Sequence, residues 1–189
     1  VASCVNSSGT TPTLIYSYDG LVWQSSSGSA LFTTYNWRVA WNGLIWLSSG
    51  SSSTPIAYSS DGINWSSSSS SSVIGLDVRS IAWNGSYWLA GGVGTYNVGL
   101  SYDGNTWTVA TTLAFQPLTF SWNGSFWLCG GTGLASSYNG TNWTPLTYSF
   151  GTISTLLWSG YHWLAGSPSG AVTYSSDGIT WTESPSGSA

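Results

Sequence analysis

A seven-residue motif occurs five times in this chain, in the order Ser, any residue, Asp or Asn, Gly, any two residues, Trp. The copies span 17–23, 59–65, 101–107, 137–143 and 175–181. The Asp or Asn position recurs after 42, 42, 36 and 38 residues, a period at which each repeat forms one supersecondary unit. The motif therefore predicts a repeat protein of five units.

A second motif accompanies the first in four of the five units. It consists of Trp, Asn or Ser, Gly, two further residues and Trp-Leu, and it spans 41–47, 83–89, 122–128 and 158–164. Asn-Gly between apolar runs predicts a β-hairpin with a type I′ turn, because both central residues of that turn need positive φ. Each complete unit therefore contains two hairpins, and the first unit lacks the first strand.

The segments between these turns alternate as half-buried strands do. Ile81 with Trp83 and Leu156 with Trp158 fall on one face, and the strand that follows carries small residues, as in 88–92. No stretch has helical periodicity. Four short strands per unit are typical of a propeller blade. We therefore predict an all-β, five-bladed β-propeller that forms a single domain over 1–189, with an incomplete first blade.

The five-copy motif resembles the Asp-box of sialidase-type propellers, Ser-x-Asp-x-Gly-x-Thr-Trp, shortened by one residue between Asp and Gly. The copy at 101–107 is the nearest, and Asn139 departs from the pattern at the acidic position. In that family the box forms the turn between the third and fourth strands of a blade, away from the active site. The resemblance thus implies the fold and no chemistry. The motif is called the Asp-box below.

Composition narrows the possible partners. The chain has two Arg, no Lys and a formal net charge of −4, so it has no basic surface for nucleic acid or for an anionic membrane. No apolar run approaches the roughly 20 residues needed to cross a bilayer, and we expect no membrane insertion. A surface with so few charges favours an extracellular setting and self-association.

We expect no enzymatic activity, because the Arg cluster with which sialidases bind a substrate carboxylate has no counterpart beyond Arg38 and Arg79. Four of the six acidic residues belong to Asp-boxes, which leaves Asp77 and Glu183. The single histidine, His162, takes a strand position held by apolar residues in other units. With no cluster of metal-ligating residues, we expect neither a metal nor a cofactor.

The repeat itself accounts for 13 of the 14 Trp residues, so tryptophan content alone does not indicate a sugar-binding surface. Binding residues on propellers are usually found in loops that a rigid scaffold holds in place. The candidate ligand-binding residues are those that the repeat does not require, and we predict that they lie in loops: Tyr35, Trp37, Arg38, Asp77, Arg79, Tyr96, Phe115, Tyr148 and Phe150.

Two functions fit these features. The first is a structural or interaction module of an extracellular or virion-surface assembly, whose partners are copies of itself or other subunits. The pairing of the Trp-Asn-Gly hairpin with the Asp-box hairpin is similar to repeats in structural proteins of large DNA viruses and phages. The second is a multivalent glycan-binding module, with several weak sites acting together. We rank the structural role first.

Two further features leave alternatives open. Cys4 and Cys129 are compatible with one disulfide, or Cys129 fills the small-residue position that Ala90 and Ala165 hold in other units. The serine run at 66–72 indicates a solvated connection between blades.

Overall fold

The computed structural model describes residues 1–5, 12–69 and 71–185. These residues form 19 β-strands and two short 3-10 helices, Ser27–Ala30 and Ser71–Ile74. The chain divides into two compact units, 1–112 and 113–189, and each is described by itself. Within the described ranges, no helix is long and apolar enough to cross a membrane.

The strands form five antiparallel sheets, each a simple meander of consecutive strands. The first sheet has three strands, β1 (Ala2–Val5), β2 (Pro12–Tyr16) and β3 (Gln24–Ser25). The second has β4 (Asn36–Trp41), β5 (Trp46–Gly50), β6 (Ile56–Ser59) and β7 (Ser66–Ser67). The third has β8 (Asp77–Trp83), β9 (Trp88–Val93), β10 (Val98–Ser101) and β11 (Thr108–Thr111).

The remaining two sheets belong to the second compact unit. The fourth sheet has β12 (Pro117–Trp122), β13 (Trp127–Gly131), β14 (Leu134–Ser137) and β15 (Thr144–Leu146). The fifth has β16 (Thr155–Trp158), β17 (Trp163–Gly166), β18 (Val172–Ser175) and β19 (Thr182–Glu183). The predicted all-β class, the four-stranded units and the incomplete first unit are confirmed.

A pair of tryptophans closes the first hairpin of every four-stranded sheet. Trp41 pairs with Trp46 directly across the two strands, and the same pairing recurs in the other three sheets. The ring centroids of these pairs lie 4.9–5.2 Å apart. Cross-strand aromatic pairs of this kind stabilise an antiparallel ladder beyond the area they bury.

The predicted type I′ turn between these tryptophans is wrong, although the hairpin is present. The amide of Asn42 donates to the carbonyl of Ile45, so the two central residues are Gly43 and Leu44. The side-chain Oδ1 of Asn42 accepts the amides of Leu44 and Ile45 at 2.9 and 2.8 Å. The position before the turn therefore needs a short side-chain acceptor, which is Asn42 here and Ser159 in the fifth sheet, and Gly43 supplies the positive φ of 98°.

The Asp-box forms the turn between the last two strands of every sheet, as the resemblance implies. In the second sheet Ser59 Oγ donates to Asp61 Oδ1 and accepts the amide of Gly62, and Asp61 Oδ1 accepts the amides of Ile63 and Asn64. The indole of Trp65 donates to the carbonyl of Gly62 at 3.1 Å. The box glycines have φ of 74–77°, a conformation that side chains other than glycine's disfavour.

Each Asp-box in the interior of a unit packs against the sheet that precedes it. Trp65 lies in a buried cluster with Leu14 and Phe32, and a Cβ on Gly104 would meet Ile45 and Leu47. In the second unit, a Cβ on Gly178 would meet Leu128 and Phe126. Within each unit, the hydrophobic core therefore lies between neighbouring sheets.

The serine run at 66–72 is not simply a solvated connection. Ser66–Ser67 is strand β7, and Ser68 is buried, with its hydroxyl donating to the carbonyl of Gly104 at 2.7 Å. The amide of Ser69 donates to Asn105 Oδ1. The polar composition of the run predicts exposure to solvent. In the structure, however, Ser68 and Ser69 bind the Asp-box of the next sheet.

Cys129 is a free thiol in β13 and is fully buried. It takes the position that Ala90 and Ala165 hold in β9 and β17. Cys129 therefore acts as a small apolar residue, which is the second of the two alternatives that the sequence left open. Burial raises the pKa of the thiol well above its usual value, which makes it unreactive. The side chain of Cys4 lies outside the described residues.

We expect the Asp-boxes to make stability fall in strong acid. Hydrogen bonds from the turn amides lower the pKa of Asp19 and Asp61, and those from Thr180 and Ile179 lower the pKa of Asp177 to about 2. A carboxyl whose pKa is lower in the folded state stabilises the fold above its unfolded pKa of about 3.9. The unfolding temperature, followed by near-ultraviolet circular dichroism, should therefore decrease as the pH falls from about 4 to about 2.

Asp177→Asn is the matched control, because Asn139 already forms the fourth box and its Oδ1 accepts the amides of Thr141 and Asn142 at 3.0 and 2.8 Å. This variant should fold at pH 7 and lose less stability between pH 4 and 2 than the wild type. An acid profile identical to that of the wild type would contradict the prediction.

Candidate functional site

Four of the nine candidate residues come together in the first compact unit. Asp77 accepts the indole N–H of Trp37 at 2.7 Å and the hydroxyl of Ser51 at 2.5 Å, both on Oδ1. Its Oδ2 accepts Nε of Arg79 at 2.9 Å, and an Arg79 terminal nitrogen lies 2.9 Å from the same oxygen. The ring of Tyr35 stacks on Trp37, with centroids 4.7 Å apart. This group of five residues is called the Trp37–Asp77 cluster.

Backbone bulges place the two central side chains of the cluster. The register of β4 against β5 shifts between Asn36 and Arg38, and that of β8 against β9 shifts between Val78 and Ser80. Trp37 and Arg79 are therefore the extra residues, and a bulge redirects the side chain it carries. Because β4 and β8 lie side by side, the two redirected side chains meet, with the guanidinium carbon 5.2 Å from the Trp37 ring centroid.

Glycines opposite the bulges permit this geometry. A Cβ on Gly50 would run into the carbonyl oxygen of Tyr35, and one on Gly92 would run into that of Asp77. Close backbone approach therefore requires glycine at these two positions of the second strand.

The carboxylate of Asp77 is fully engaged within the cluster. Partial burial raises its pKa, but the hydrogen bonds from Ser51, Trp37 and Arg79, together with the charge of Arg79, outweigh this effect and leave the pKa below its usual value. Asp77 is thus ionised at neutral pH and holds three side chains in place. A carboxylate in this state is a poor general acid, because a general acid needs a pKa near the working pH.

The other candidate residues do not join the cluster through contacts with Asp77. Arg38 is exposed and donates to the carbonyl of Trp37 at 3.1 Å. Tyr96 is exposed in the loop between β9 and β10. Trp37, Arg38, Asp77 and Arg79 lie in strands, so the prediction that they are loop residues is wrong. The bulges explain why strand residues fall outside the repeat pattern.

In the second unit the three aromatic candidates pack against their own sheets. The ring of Phe115 lies against Gly131 and Gly133. The Tyr148 hydroxyl is 2.8 Å from Thr173 Oγ1, and its ring contacts Trp181 and Phe150 edge to face. Tyr148 is therefore half-buried and packs against the core of its unit.

The fifth sheet exposes several apolar residues, one of them at a position that every other sheet buries. Val172 stands three residues before the Asp-box serine and is 50% exposed, whereas the residues at the same repeat position in the other four sheets are at most 2% exposed: Leu14, Ile56, Val98 and Leu134. Leu157 and Tyr174 are exposed beside it, and Leu164 is only half-buried, although its counterparts Leu47, Leu89 and Leu128 are fully buried. These four residues and His162 are called the uncovered face.

Sequence reasoning missed the uncovered face, although one signal was available. Leu157 stands where the other four-stranded sheets have Ala40, Ala82 and Ser121, so the fifth sheet is more apolar at a position that is small elsewhere. His162 is exposed on this face and contacts Tyr174 edge to face, with ring centroids 6.1 Å apart. Among the described residues, no three His, Cys, Asp or Glu side chains gather as a metal site would require.

Comparison with solved structures shows the fold. The chain is similar to the GH74 enzyme of Niastella koreensis, with a TM-score of 0.68, 15% identity, and coverage of 93% of this chain and 34% of that one. It is also similar to YCF48 from Cyanidioschyzon merolae, with a TM-score of 0.63, 15% identity, and coverage of 92% of this chain and 64% of that one. The chain thus spans about a third and just under two thirds of these proteins.

These likenesses confirm the propeller-type fold and a structural similarity to Asp-box propellers. No protein-family model and no curated protein matches the sequence. At 15% identity, the structural likeness carries the fold alone.

We expect Asp77→Ala to destabilise the protein by about 1–3 kcal/mol, because Trp37, Ser51 and Arg79 lose their shared acceptor while remaining partly buried. Asp77→Asn keeps an acceptor for Trp37 and Ser51 and loses only a partly exposed ion pair, so it should cost at most about 1 kcal/mol. Urea unfolding followed by tryptophan emission measures both. Arg38→Ala is the control and should change stability by less than about 0.5 kcal/mol. Wild-type stability of Asp77→Ala would refute the structural role.

Proposed function

We propose that the chain is a non-enzymatic structural and interaction module of an extracellular or virion-surface assembly. The observation that supports this most strongly is the uncovered face of the fifth sheet. Burying a Val or Leu side chain stabilises a protein by roughly 1.5–3 kcal/mol. The face exposes Val172, at a position that the other sheets bury, and with it Leu157 and Tyr174, so covering it is favourable.

Charge supports the same proposal. The uncovered face carries no acidic or basic side chain apart from His162, and the whole chain has eight charged residues against 30 aromatic ones. Few charges mean little electrostatic repulsion between copies, and an apolar contact between them is not weakened by salt. Similarity of the paired hairpin repeats to those of viral and phage structural proteins points to the same setting.

The acidic side chains favour a module without catalysis. In the Asp-boxes, Asp19, Asp61, Asp103 and Asp177 each accept hydrogen bonds from amides of their own turn. Asp77 holds the Trp37–Asp77 cluster together. These carboxylates are therefore used in building turns and in joining sheets.

A second candidate function, glycan binding, is favoured by the Trp37–Asp77 cluster. Tyr35 is 45% exposed and stacks on Trp37, and aromatic faces of this kind pack against the apolar faces of sugar rings. Arg79 adds hydrogen-bond donors beside the stack, because its guanidinium has more N–H groups than Asp77 accepts. The cluster is one site, so it supports recognition of one sugar at a time.

Sedimentation velocity of the purified chain tests the structural proposal. We expect the weight-average mass to rise above the 19.9 kDa of one chain as the concentration increases through the micromolar range. Because the uncovered face is apolar, raising the salt concentration should not dissociate the assembly. A mass of one chain at every concentration would count against the assembly role.

A glycan array, followed by titration with tryptophan fluorescence, tests the second candidate. We expect no saturable binding if the module is structural alone. Saturable binding that Tyr35→Ala abolishes, and that Tyr102→Ala at an exposed hairpin tip leaves intact, would establish the cluster as a sugar site. Trp37 lies under Tyr35, so occupation of the stack should change its emission.

A further inference from the structure

A cavity opens beside the Asp-box of the third sheet, within the first compact unit. It encloses about 190 Å³, which is less than the roughly 300–1,000 Å³ of sites for drug-sized ligands. A cavity of this size suits a ligand of one ring. Apolar, aromatic, acidic and hydroxyl side chains line it together: Leu100, Ser101, Tyr102, Asp103, Thr106 and Thr108.

The cavity is present because Leu100 stands where three other sheets have a tyrosine. The residue before the Asp-box serine in the first, second, fourth and fifth sheets is Tyr16, Tyr58, Ser136 and Tyr174. In the first sheet the ring of Tyr16 packs edge to face on Tyr18, with centroids 5.7 Å apart, and its hydroxyl donates to Gln24 Oε1 at 2.8 Å. Leu100 and Thr108 take the places of Tyr16 and Gln24 in the third sheet, and both are shorter. The space of the tyrosine ring is therefore open there.

The missing ring indicates the shape of the ligand. Tyr102 takes the place of Tyr18 and is 73% exposed, and its ring contacts Tyr87 edge to face with centroids 6.2 Å apart. Leu100 contributes an apolar wall. A six-membered ring that carries a hydroxyl, placed as the Tyr16 ring is placed in the first sheet, would contact Tyr102 and reach Thr108.

The polar groups of the cavity favour a ring with several hydroxyls. Asp103 Oδ1 accepts the hydroxyl of Ser101 at 3.0 Å and the amides of Asn105 and Thr106 at 2.9 and 2.7 Å. The Thr106 hydroxyl also bonds to this carboxylate, so Oδ2 keeps acceptor capacity for a ligand. The hydroxyl of Thr108 donates to a backbone carbonyl at 3.3 Å and can still accept. A phenol has one hydroxyl for these acceptors, whereas a pyranose has several.

The charge at the cavity favours a neutral sugar. Partial burial raises the pKa of Asp103, but the hydrogen bonds of its own turn outweigh this effect and leave the pKa below its usual value. The carboxylate is therefore ionised at neutral pH. The two cationic side chains of this sequence, Arg38 and Arg79, both contact Trp37 and do not compensate the charge of Asp103. A uronic acid would bring a second negative charge beside it, and like charges repel.

We propose that the cavity beside the third Asp-box binds one neutral pyranose residue, with Tyr102 against an apolar face of the ring and Asp103 and Thr108 accepting hydrogen bonds from its hydroxyls. The site is separate from the Trp37–Asp77 cluster, because Asp77 and Ser101 pair with opposite ends of β9. It goes beyond the assembly role proposed above and does not depend on it. One ring on one aromatic side chain buries little area, so we expect a Kd on the order of 1 mM.

Titration of the isotope-labelled protein with methyl hexopyranosides, followed by two-dimensional amide NMR spectra, tests the proposal. The methyl glycosides of glucose, galactose and mannose are the neutral probes, and glucuronic acid is the charged probe. We expect at least one neutral probe to shift the amide signals of residues 102–108 saturably, and glucuronic acid to bind more weakly. In the same spectra, the indole signal of Trp37 reports on the other candidate sugar site.

Leu100→Tyr is the decisive variant, because it restores the ring that three other sheets carry and fills the cavity. It should abolish the saturable shifts. Tyr102→Ala changes an exposed side chain and should raise the Kd roughly three- to tenfold, because it removes the ring that the sugar contacts. Ser136→Tyr introduces the same residue at the same repeat position of the fourth sheet and should leave the Kd unchanged. Circular dichroism and the unfolding temperature check that each variant folds.

The outcomes separate this proposal from the functions proposed above. Saturable shifts that Leu100→Tyr removes and Ser136→Tyr retains would support it. No saturable shift at residues 102–108 with any neutral probe, or shifts that persist in Leu100→Tyr, would refute the site, and equal affinity for glucuronic acid would refute the neutral ligand class. Shifts confined to the Trp37 indole and lost in Tyr35→Ala would refute this proposal and support the second candidate function. Sedimentation velocity judges the assembly role independently of these results.

Discussion

The turn of the Asp-box is the interaction on which the rest of this structure depends. A short Ser and a short Asp or Asn bind the amides of their own turn, for example Ser59 and Asp61 with the amides of residues 62–64. Because these polar groups are satisfied locally, the turn can press its Gly and Trp against an apolar sheet. One local hydrogen-bonded unit therefore forms a hairpin and also joins that hairpin to the sheet before it.

The Trp37–Asp77 cluster also joins two neighbouring sheets through a small number of hydrogen bonds. A bulge at one position of β4 and β8 redirects Trp37 and Arg79 out of the regular pattern, and Asp77 connects them with Ser51. Three donors around one carboxylate tie the second sheet to the third, in addition to the Asp-box contact. A sugar would find an aromatic stack there, but the polar groups beneath it are already paired with one another.

Contacts between sheets recur within each compact unit. The Asp-box of one sheet covers apolar residues of the sheet before it, as Gly104 does with Leu47 and Gly178 with Leu128. Trp23 is about half exposed, whereas Trp65 and Trp107 are buried, and Val172 is half exposed, whereas Leu134 is buried. The physical forces that join sheets within the chain therefore also favour contact between chains, which is the basis for proposing an assembly module.

Much of this protein was determined by its sequence alone, because the repeated features are local. The spacing of Ser17, Asp19, Gly20 and Trp23 and of their counterparts predicts the turns, since each hydrogen bond joins residues at most three positions apart. The four-stranded units and the incomplete first sheet followed from the same motifs. Even so, the turn at Asn42 was misassigned, because its side chain, and not its backbone, closes the hydrogen bonds.

Tertiary structure alone decided which exceptions to the repeat come together. Trp37 and Asp77 are 40 residues apart in the chain, and no local pattern predicts that bulges in two different strands point their side chains at one another. Likewise Ser68 reads as part of a solvated run but is buried under the next Asp-box. The exposure of Val172 is a further case. Val172 stands at the same place before its Asp-box as its buried counterparts do. Its burial depends on whether another sheet covers it, which the local sequence does not specify.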